Sequence, residues 1–261
     1  EDTIDLRDRL KELMENRDWR LQIRERAWKT AKNRDERRMA LEINKLYYDV
    51  YIKGWSLISI IIPTKDRPES LVESLLGALT QDYPKIEVIV VDSGNTPVLP
   101  IIEEARKRTN IPIKYIYFPN KGEYTLAKAR NKGVIESDGE YILFCDDRIK
   151  MEPNAVSVFD AHKKGSIWIW GMKDGNIKGF VENFSFVQRE ILIKGGMFNE
   201  RIECYGGMTQ ELKERYEKRQ NINFVFLEDA KANQVSSSHA KRTKRNEIIE
   251  AKFMLYKIYG K

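Results

Sequence analysis

Two consecutive carboxylates, Asp146 and Asp147, directly follow an apolar run of the length of a β-strand. Two earlier apolar runs end close to Asp66 and at Asp92. Carboxylates that cluster repel one another unless a cation or a cationic side chain lies between them. Their hard oxygen atoms suit Mg²⁺ or Mn²⁺, and such an ion can bridge a carboxylate to a diphosphate. The spacing therefore indicates a metal-assisted site for a nucleoside diphosphate.

These side chains need a scaffold that brings the ends of several strands to one edge. Between residues 57 and 145 the sequence alternates β-rich apolar runs with helical segments, which is typical of a doubly wound, mostly parallel sheet. Ligands bind to such sheets beyond the carboxyl ends of the strands. We therefore predict an α/β, Rossmann-like fold. The residues expected at its binding edge are Thr64, Asp66, Asp92, Asp146 and Asp147.

Beyond Pro153 the alternation is less regular. We predict strands near residues 167–171, 178–182 and 223–227, and helices near residues 188–194 and 209–220. No Gly-x-Gly-x-x-Gly motif follows the first strand and the sequence contains no P-loop motif. These absences exclude a dinucleotide fingerprint and a P-loop nucleotide site.

The composition indicates the cellular compartment of the protein and whether it spans a membrane. Its 261 residues include two cysteines, Cys145 and Cys204. They are too few for a disulfide framework and too far apart for a C-x-x-C zinc site, which indicates a reducing compartment. No apolar run approaches the roughly 18 residues of a membrane-spanning helix, and the first residues lack the basic and apolar pattern of a signal peptide. We therefore expect a cytoplasmic protein that does not span a membrane.

The two ends of the chain differ from the α/β part. Residues 1–53 contain no glycine or proline and are predicted to be a helical extension of two helices with a break near Asn33. Residues 241–261 are predicted to form a basic C-terminal helix, and the eight basic and two acidic residues between 231 and 261 account for the whole net charge of +6. This helix either packs one face on the core, contacts anionic lipid at the inner face of the membrane, or attracts a phosphate-bearing ligand. No nucleic-acid-reading motif accompanies the charge, so we expect no nucleic-acid partner.

Between residues 57 and 240, an ordered set of motifs resembles family 2 glycosyltransferases of the GT-A fold. The motifs are residues 59–68 (SIIIPTKDRP), 81–84 (QDYP), 87–94 (EVIVVDSG), 120–122 (NKG), 129–133 (ARNKG), 138–142 (DGEYI), 146–147 (DD), 195–200 (GGMFNE) and 205–207 (YGG). They occur in the order and at the intervals of the family. The resemblance implies a GT-A domain over residues 54–240, with a nucleotide-binding half at 57–150 and an acceptor half at 151–240.

The resemblance also implies roles for matching residues. Thr64 and Asp92 would contact the base of a nucleotide, with Arg130 near the same base. Asp146 would reach the ribose, and Asp147 would hold the metal, Mn²⁺ or Mg²⁺. The full set assigned to nucleotide binding is Pro63, Thr64, Asp66, Asp92, Arg130, Asp146 and Asp147.

Several of these residues have alternative interpretations. His239 follows three serines, where related enzymes often supply a metal-binding histidine, but it can equally be an ordinary loop residue. Asp66 and Asp92 can cap a loop or a helix instead of binding a nucleotide. Asp146 and Asp147 can belong to a solvated turn, which their position after five apolar residues disfavours.

Two positions depart from the family pattern. Arg148 stands where many members carry a third acidic residue, so it either lowers the affinity for a metal or itself contacts phosphate. Thr209 stands where the family often has the Asp that acts as general base, and threonine cannot take that role. Glu211 is the nearest carboxylate and our predicted base. Its alternative role is that of a first-turn glutamate favoured by the helix dipole.

The function implied by the resemblance is transfer of a sugar from a nucleotide-diphosphate donor, in the first place a UDP-sugar, to a hydroxyl group of a glycan or glycoconjugate. We expect inversion at the anomeric carbon and a place in polysaccharide or glycoconjugate synthesis. The alternative is a catalytically weak sugar-nucleotide-binding module, which the N-terminal helices hold in a larger assembly.

Overall fold

The chain divides into two compact units, Glu1–Gly54 and Trp55–Lys261, in a computed structural model. The structure describes residues 8, 11, 15–31, 42–43, 54–120, 122–174, 179–204 and 206–235. In the first unit, helix α1 (Arg17–Ala31) agrees with the predicted helical extension. The predicted helix break near Asn33, the basic C-terminal helix and His239 lie outside the described residues.

The second unit alternates strands and helices as the sequence pattern predicts. Its strands are β1 (Ile58–Thr64), β2 (Ile86–Asp92), β3 (Ile113–Tyr117), β4 (Tyr141–Cys145), β5 (Ile149–Met151), β6 (Ile167–Lys173), β7 (Phe184–Gln188) and β8 (Asn223–Gln234). Its described helices are α2 (Pro68–Leu79), α3 (Leu99–Arg106), α4 (Leu126–Ile135), α5 (Ala155–Ala161), α6 (Arg189–Lys194) and α7 (Met208–Gln220).

All eight strands belong to one sheet with the order β3-β2-β1-β4-β7-β6-β8-β5. Strands β3, β2, β1 and β4 are parallel, whereas β7 runs antiparallel to both β4 and β6. The predicted α/β fold with a doubly wound sheet is confirmed. The described sheet is parallel from β3 through β2 and β1 to β4, and its remaining strands are mixed.

Apolar side chains cover both faces of the sheet. Every residue of β1 and β2 is buried, which explains why these strands are largely apolar rather than alternating. Helices α2, α3 and α5 contribute to the core on one face, and α4, α6 and α7 to the core on the other. The carboxyl ends of the central strands are therefore the part of the sheet that stays open to a ligand.

The strand predicted at residues 178–182 is wrong, since the described residues 179–182 are not in a strand and β7 begins at Phe184. The register explains the difference, because Phe184 is the first residue to pair with β4, opposite Cys145. Strand β8 extends beyond the predicted end at Leu227 because it pairs with β6 and then with β5. No described helix is long and apolar enough to cross a membrane.

Candidate functional site

The ends of β1, β2 and β4 bring the predicted site residues together. Thr64 lies opposite Asp92 in the parallel register of β1 and β2, and the Ser93 amide donates to the Thr64 carbonyl oxygen at 3.0 Å. The Thr64 hydroxyl donates to Oδ2 of Asp147 at 2.9 Å. Residues that are far apart in the chain thus meet at the predicted edge, and Pro63 is buried in β1 beside them.

Asp147 is the most unusual carboxylate of this edge. It is only 2% exposed, and its Oδ1 lies 3.4 Å from Nη1 of Arg67. Burial raises the pKa of Asp147 to about 6, and the charge of Asp146 adds to this effect, while Arg67 and the Thr64 hydrogen bond oppose it. The raised pKa indicates a negative charge that its surroundings compensate only in part.

This property of Asp147 fits a divalent cation, because a hard carboxylate oxygen with incompletely balanced charge is a suitable ligand for Mn²⁺ or Mg²⁺. Within the described ranges, no group of three or more His, Cys, Asp or Glu side chains is placed to hold a metal. Asp147 is the described residue that would hold such an ion, and the described part of the protein shows no complete set of side-chain ligands around it.

Arg130 joins two carboxylates beside Asp147. Its side chain is fully buried, with Nη2 2.8 Å from Oδ1 of Asp146 and Nη1 3.0 Å from Oε1 of Glu182. Burial alone would lower the pKa of Arg130, but the two carboxylates outweigh that effect and raise it. Burial alone would likewise raise the pKa of Glu182, yet the Arg130 charge and a hydrogen bond from Thr209 hold it below its usual value. Arg130 and Glu182 are therefore both charged at neutral pH.

Asp92 and Asp66 are both held by hydrogen bonds within the loops. Asp92 is fully buried, and its Oδ1 accepts from the Gly94 amide at 2.8 Å. Its Oδ2 accepts from the Val98 amide at 3.0 Å and from the Tyr115 hydroxyl at 2.8 Å. Asp66 has a φ of 53° and accepts hydrogen bonds from the amide and side chain of Asn95. These contacts are those of capping residues, and nucleotide binding by both aspartates stays a prediction.

Glu211 lies in the first turn of α7 and is buried. Arg215, one turn further along the helix, holds it through Nε at 2.7 Å and Nη2 at 3.3 Å. Arg215 also donates to the carbonyl oxygen of Met197 at 2.6 Å. The carboxylate that the sequence suggested as general base is thus part of an ion pair, and its catalytic role stays a prediction.

Residues 59–159 match the family model described as Glycosyl transferase family 2. The chain carries a family 2 glycosyltransferase domain. WcaA of Escherichia coli, which is named as a glycosyl transferase, is 33% identical over 113 residues, 43% of this chain and 40% of its own length. The match spans less than half the length of the curated relatives considered.

Solved structures show that the family 2 domain has the GT-A fold. The mannosyltransferase PcManGT from Pyrobaculum calidifontis, in complex with GDP-Man and Mn²⁺, superposes with a TM-score of 0.58 at 16% identity, over 75% of this chain and 65% of that one. Staphylococcus aureus TarS 1-349, in complex with UDP-GlcNAc, gives a TM-score of 0.56 at 19% identity, over 70% and 60% of the two chains. The predicted family and fold are both confirmed.

The candidate site also contains two residues to which the sequence assigned no role. Arg67 belongs to the first motif and contacts Asp147, so its position next to Asp66 was an available signal. Glu182 lies outside the motifs, in the segment wrongly predicted as a strand, and no local pattern marks it. Only the tertiary structure brings it to Arg130 and Thr209.

Proposed function

We propose that the protein is a glycosyltransferase that moves a sugar from a UDP-sugar to an acceptor hydroxyl, with inversion, in polysaccharide or glycoconjugate synthesis. The observation that carries the proposal is the group of carboxylates at the strand edge of a family 2 domain, where Asp147 is held by Thr64 and Asp146 by Arg130. A nucleotide-sugar donor is the ligand class that suits such an edge, because it combines a base, a ribose and a diphosphate.

The donor would extend along this edge. In the proposed arrangement, Thr64 and Asp92 contact the base near Arg130, Asp146 reaches the ribose, and the diphosphate lies next to Asp147. Arg67 and Arg148 support this placement, since both lie near enough to Asp147 to lower its pKa and could therefore attract phosphate oxygens. Pro63 and Asp66 would shape the loop around the nucleotide.

Asp147 would hold Mn²⁺ or Mg²⁺, with His239 as a further ligand. When bound, the ion neutralises negative charge on the diphosphate that leaves. The protein itself orients the donor through the edge residues and places a carboxylate where it accepts the proton of the acceptor hydroxyl. Glu211 is the general base that the sequence predicts for this proton transfer.

Two observations favour the alternative of a catalytically weak binding module. Thr209 stands where the family usually has its base, and Glu211 is bound by Arg215. A protein of that kind would bind UDP-sugars without transferring the sugar at a useful rate.

A two-stage experiment separates these functions. Thermal-shift measurements with UDP, GDP and their sugars, with and without Mn²⁺, test binding. Release of UDP from UDP-GlcNAc and UDP-glucose, with and without glycan acceptors, then tests transfer. We expect stabilisation by UDP that increases with Mn²⁺, and acceptor-dependent UDP release.

Asp147→Asn should retain the fold and lose the part of the UDP affinity that depends on Mn²⁺. Asp138→Asn is the matched control, because Asp138 is exposed and pairs with Lys114 just before β4, at the opposite edge of the sheet. Absence of any shift with nucleotide diphosphates would overturn the proposed function. Binding without acceptor-dependent release would establish the binding module instead.

A further inference from the structure

A carboxylate lies next to Thr209, the position at which the family often has its general base. Thr209 replaces the usual aspartate in the first turn of α7, and its hydroxyl donates to Oε2 of Glu182 at 2.5 Å. A second segment of the chain therefore supplies a carboxylate within hydrogen-bonding distance of the Thr209 side chain.

Glu182 belongs to the same edge as the proposed donor site. It precedes β7, which runs antiparallel to β4, so the start of β7 lies beside the end of β4. The Asp146 amide donates to the carbonyl oxygen of Asn183 at 3.1 Å, which joins the two segments directly. Glu182 thus directly precedes the residue that is hydrogen-bonded to Asp146, the proposed ribose contact.

The two oxygen atoms of Glu182 have different surroundings. Oε1 contacts Arg130, whose side chain is completely buried, whereas Oε2 contacts the hydroxyl of Thr209. The Glu182 side chain retains 11% exposure. Because its pKa lies below the usual value, the carboxylate is ionised at neutral pH and able to accept a proton.

Glu211 has a different environment. Two residues along an α-helix correspond to a rotation of about 200°, so Glu211 and Thr209 lie on opposite sides of α7. The contacts agree with this rotation, since Thr209 reaches Glu182 and Glu211 reaches Arg215.

We propose that Glu182, rather than Glu211, is the general base of the glycosyl transfer; this inference rests on the proposed function. Oε2 of Glu182 takes the proton of the acceptor O–H group, and the electron pair of that bond forms the new bond from the acceptor oxygen to the anomeric carbon. The bond from the anomeric carbon to the diphosphate breaks, and its electron pair leaves with the nucleoside diphosphate. Thr209 is a positioning residue that orients Oε2 through its hydroxyl.

The test uses the whole chain, a panel of UDP- and GDP-sugars, and both water and glycan acceptors. Release of the nucleoside diphosphate measures turnover, and calorimetric titration with UDP or GDP measures binding. The variants are Glu182→Gln, Glu182→Asp, Glu211→Gln and the double variant Glu182→Gln/Thr209→Asp. Glu190→Gln is the matched control, because Glu190 is exposed, pairs with Lys194 and lies in α6 beyond the opposite end of β7.

We expect Glu182→Gln to reduce turnover by about 10²–10⁴-fold while nucleotide affinity changes little. The double variant places a carboxylate at position 209 in α7. Its turnover should be at least tenfold higher than that of Glu182→Gln. Glu182→Asp keeps the charge beside Arg130 and should retain more activity than Glu182→Gln. Recovery in the double variant is the decisive readout, because a purely structural role of Glu182 would not be restored from position 209.

Three results would overturn the inference. One is near-parental turnover of Glu182→Gln, and another is a large loss in Glu211→Gln while Glu182→Gln stays active. The third is failure of the double variant to regain turnover although its melting temperature matches that of the parent. If the parent binds nucleotide but releases no nucleoside diphosphate from any donor with either acceptor, the proposed function itself fails. A wrong choice of residue instead leaves the parent active, so the two failures are distinguishable.

Discussion

Replacement of Arg130 by methionine tests the charge network on which the site depends. The Arg130 side chain is completely buried, and its contacts of 2.8 Å to Asp146 and 3.0 Å to Glu182 are of ideal length. Methionine matches the aliphatic part of the arginine side chain but carries no charge, so Arg130→Met leaves two buried carboxylates without their shared cation. Removal of one partner from a buried ion pair costs about 3–5 kcal/mol of unfolding free energy. For a domain of this size, that corresponds to a melting temperature lower by about 6–20 °C.

The dependence on pH provides an independent check of the cause. The pKa of Glu182 is lowered in the folded protein, so its interactions stabilise the fold above its ordinary pKa of 4.5 and are lost as the pH falls through the folded value. Arg130→Met removes the charge that lowers the pKa of Glu182, so this carboxylate becomes easier to protonate. The difference in stability between parent and variant should therefore be large at pH 7.5 and shrink towards pH 4.

Urea unfolding at several pH values measures this difference. Arg108→Met is the control, because Arg108 is exposed and both of its side-chain contacts are with Glu104 on the surface. An exposed pair of that kind contributes little, so this variant should melt close to the parent. A loss below about 1 kcal/mol in Arg130→Met, or a difference that grows as the pH falls, would refute the account of Arg130 as the cation that two buried carboxylates require.

Two further predictions concern a capping residue and a close contact in the sheet. Asp92→Ala leaves buried hydrogen-bond donors without an acceptor, so it should lower the unfolding free energy by at least about 2 kcal/mol. It should also weaken UDP binding by about 1–3 kcal/mol. Unchanged UDP affinity in calorimetry would leave Asp92 a capping role alone. Gly171→Ala would place a methyl group against the Phe184 ring and 2.5 Å from the Ala230 carbonyl oxygen, so urea unfolding should show a loss of about 1–3 kcal/mol. Gly179→Ala, where nothing lies within 4 Å, is its control, and equal stability of the two variants would contradict the steric explanation.

The sequence by itself determined the first half of the domain and the edge that carries its chemistry. Strands β1, β2 and β4 are continuous apolar runs, and their local pattern is enough to identify them as buried parallel strands. Once the strands are parallel, the residues that follow them must meet at one edge. The contact between Thr64 and Asp147 follows from that rule, although 83 positions separate the two residues.

Only the tertiary structure decided which carboxylate lies beside Thr209. The position of Glu182 depends on the insertion of β7 between β4 and β6, and no local pattern specifies that antiparallel pairing. The same pairing explains why the predicted strand at residues 178–182 was displaced to β7. The orientation of Glu211 towards Arg215 likewise depends on how α7 packs, because the spacing of Thr209 and Glu211 does not show which side of the helix faces the sheet edge. Helical and strand periodicity are local properties of the chain, whereas the partners of a buried charge are set by elements distant in sequence.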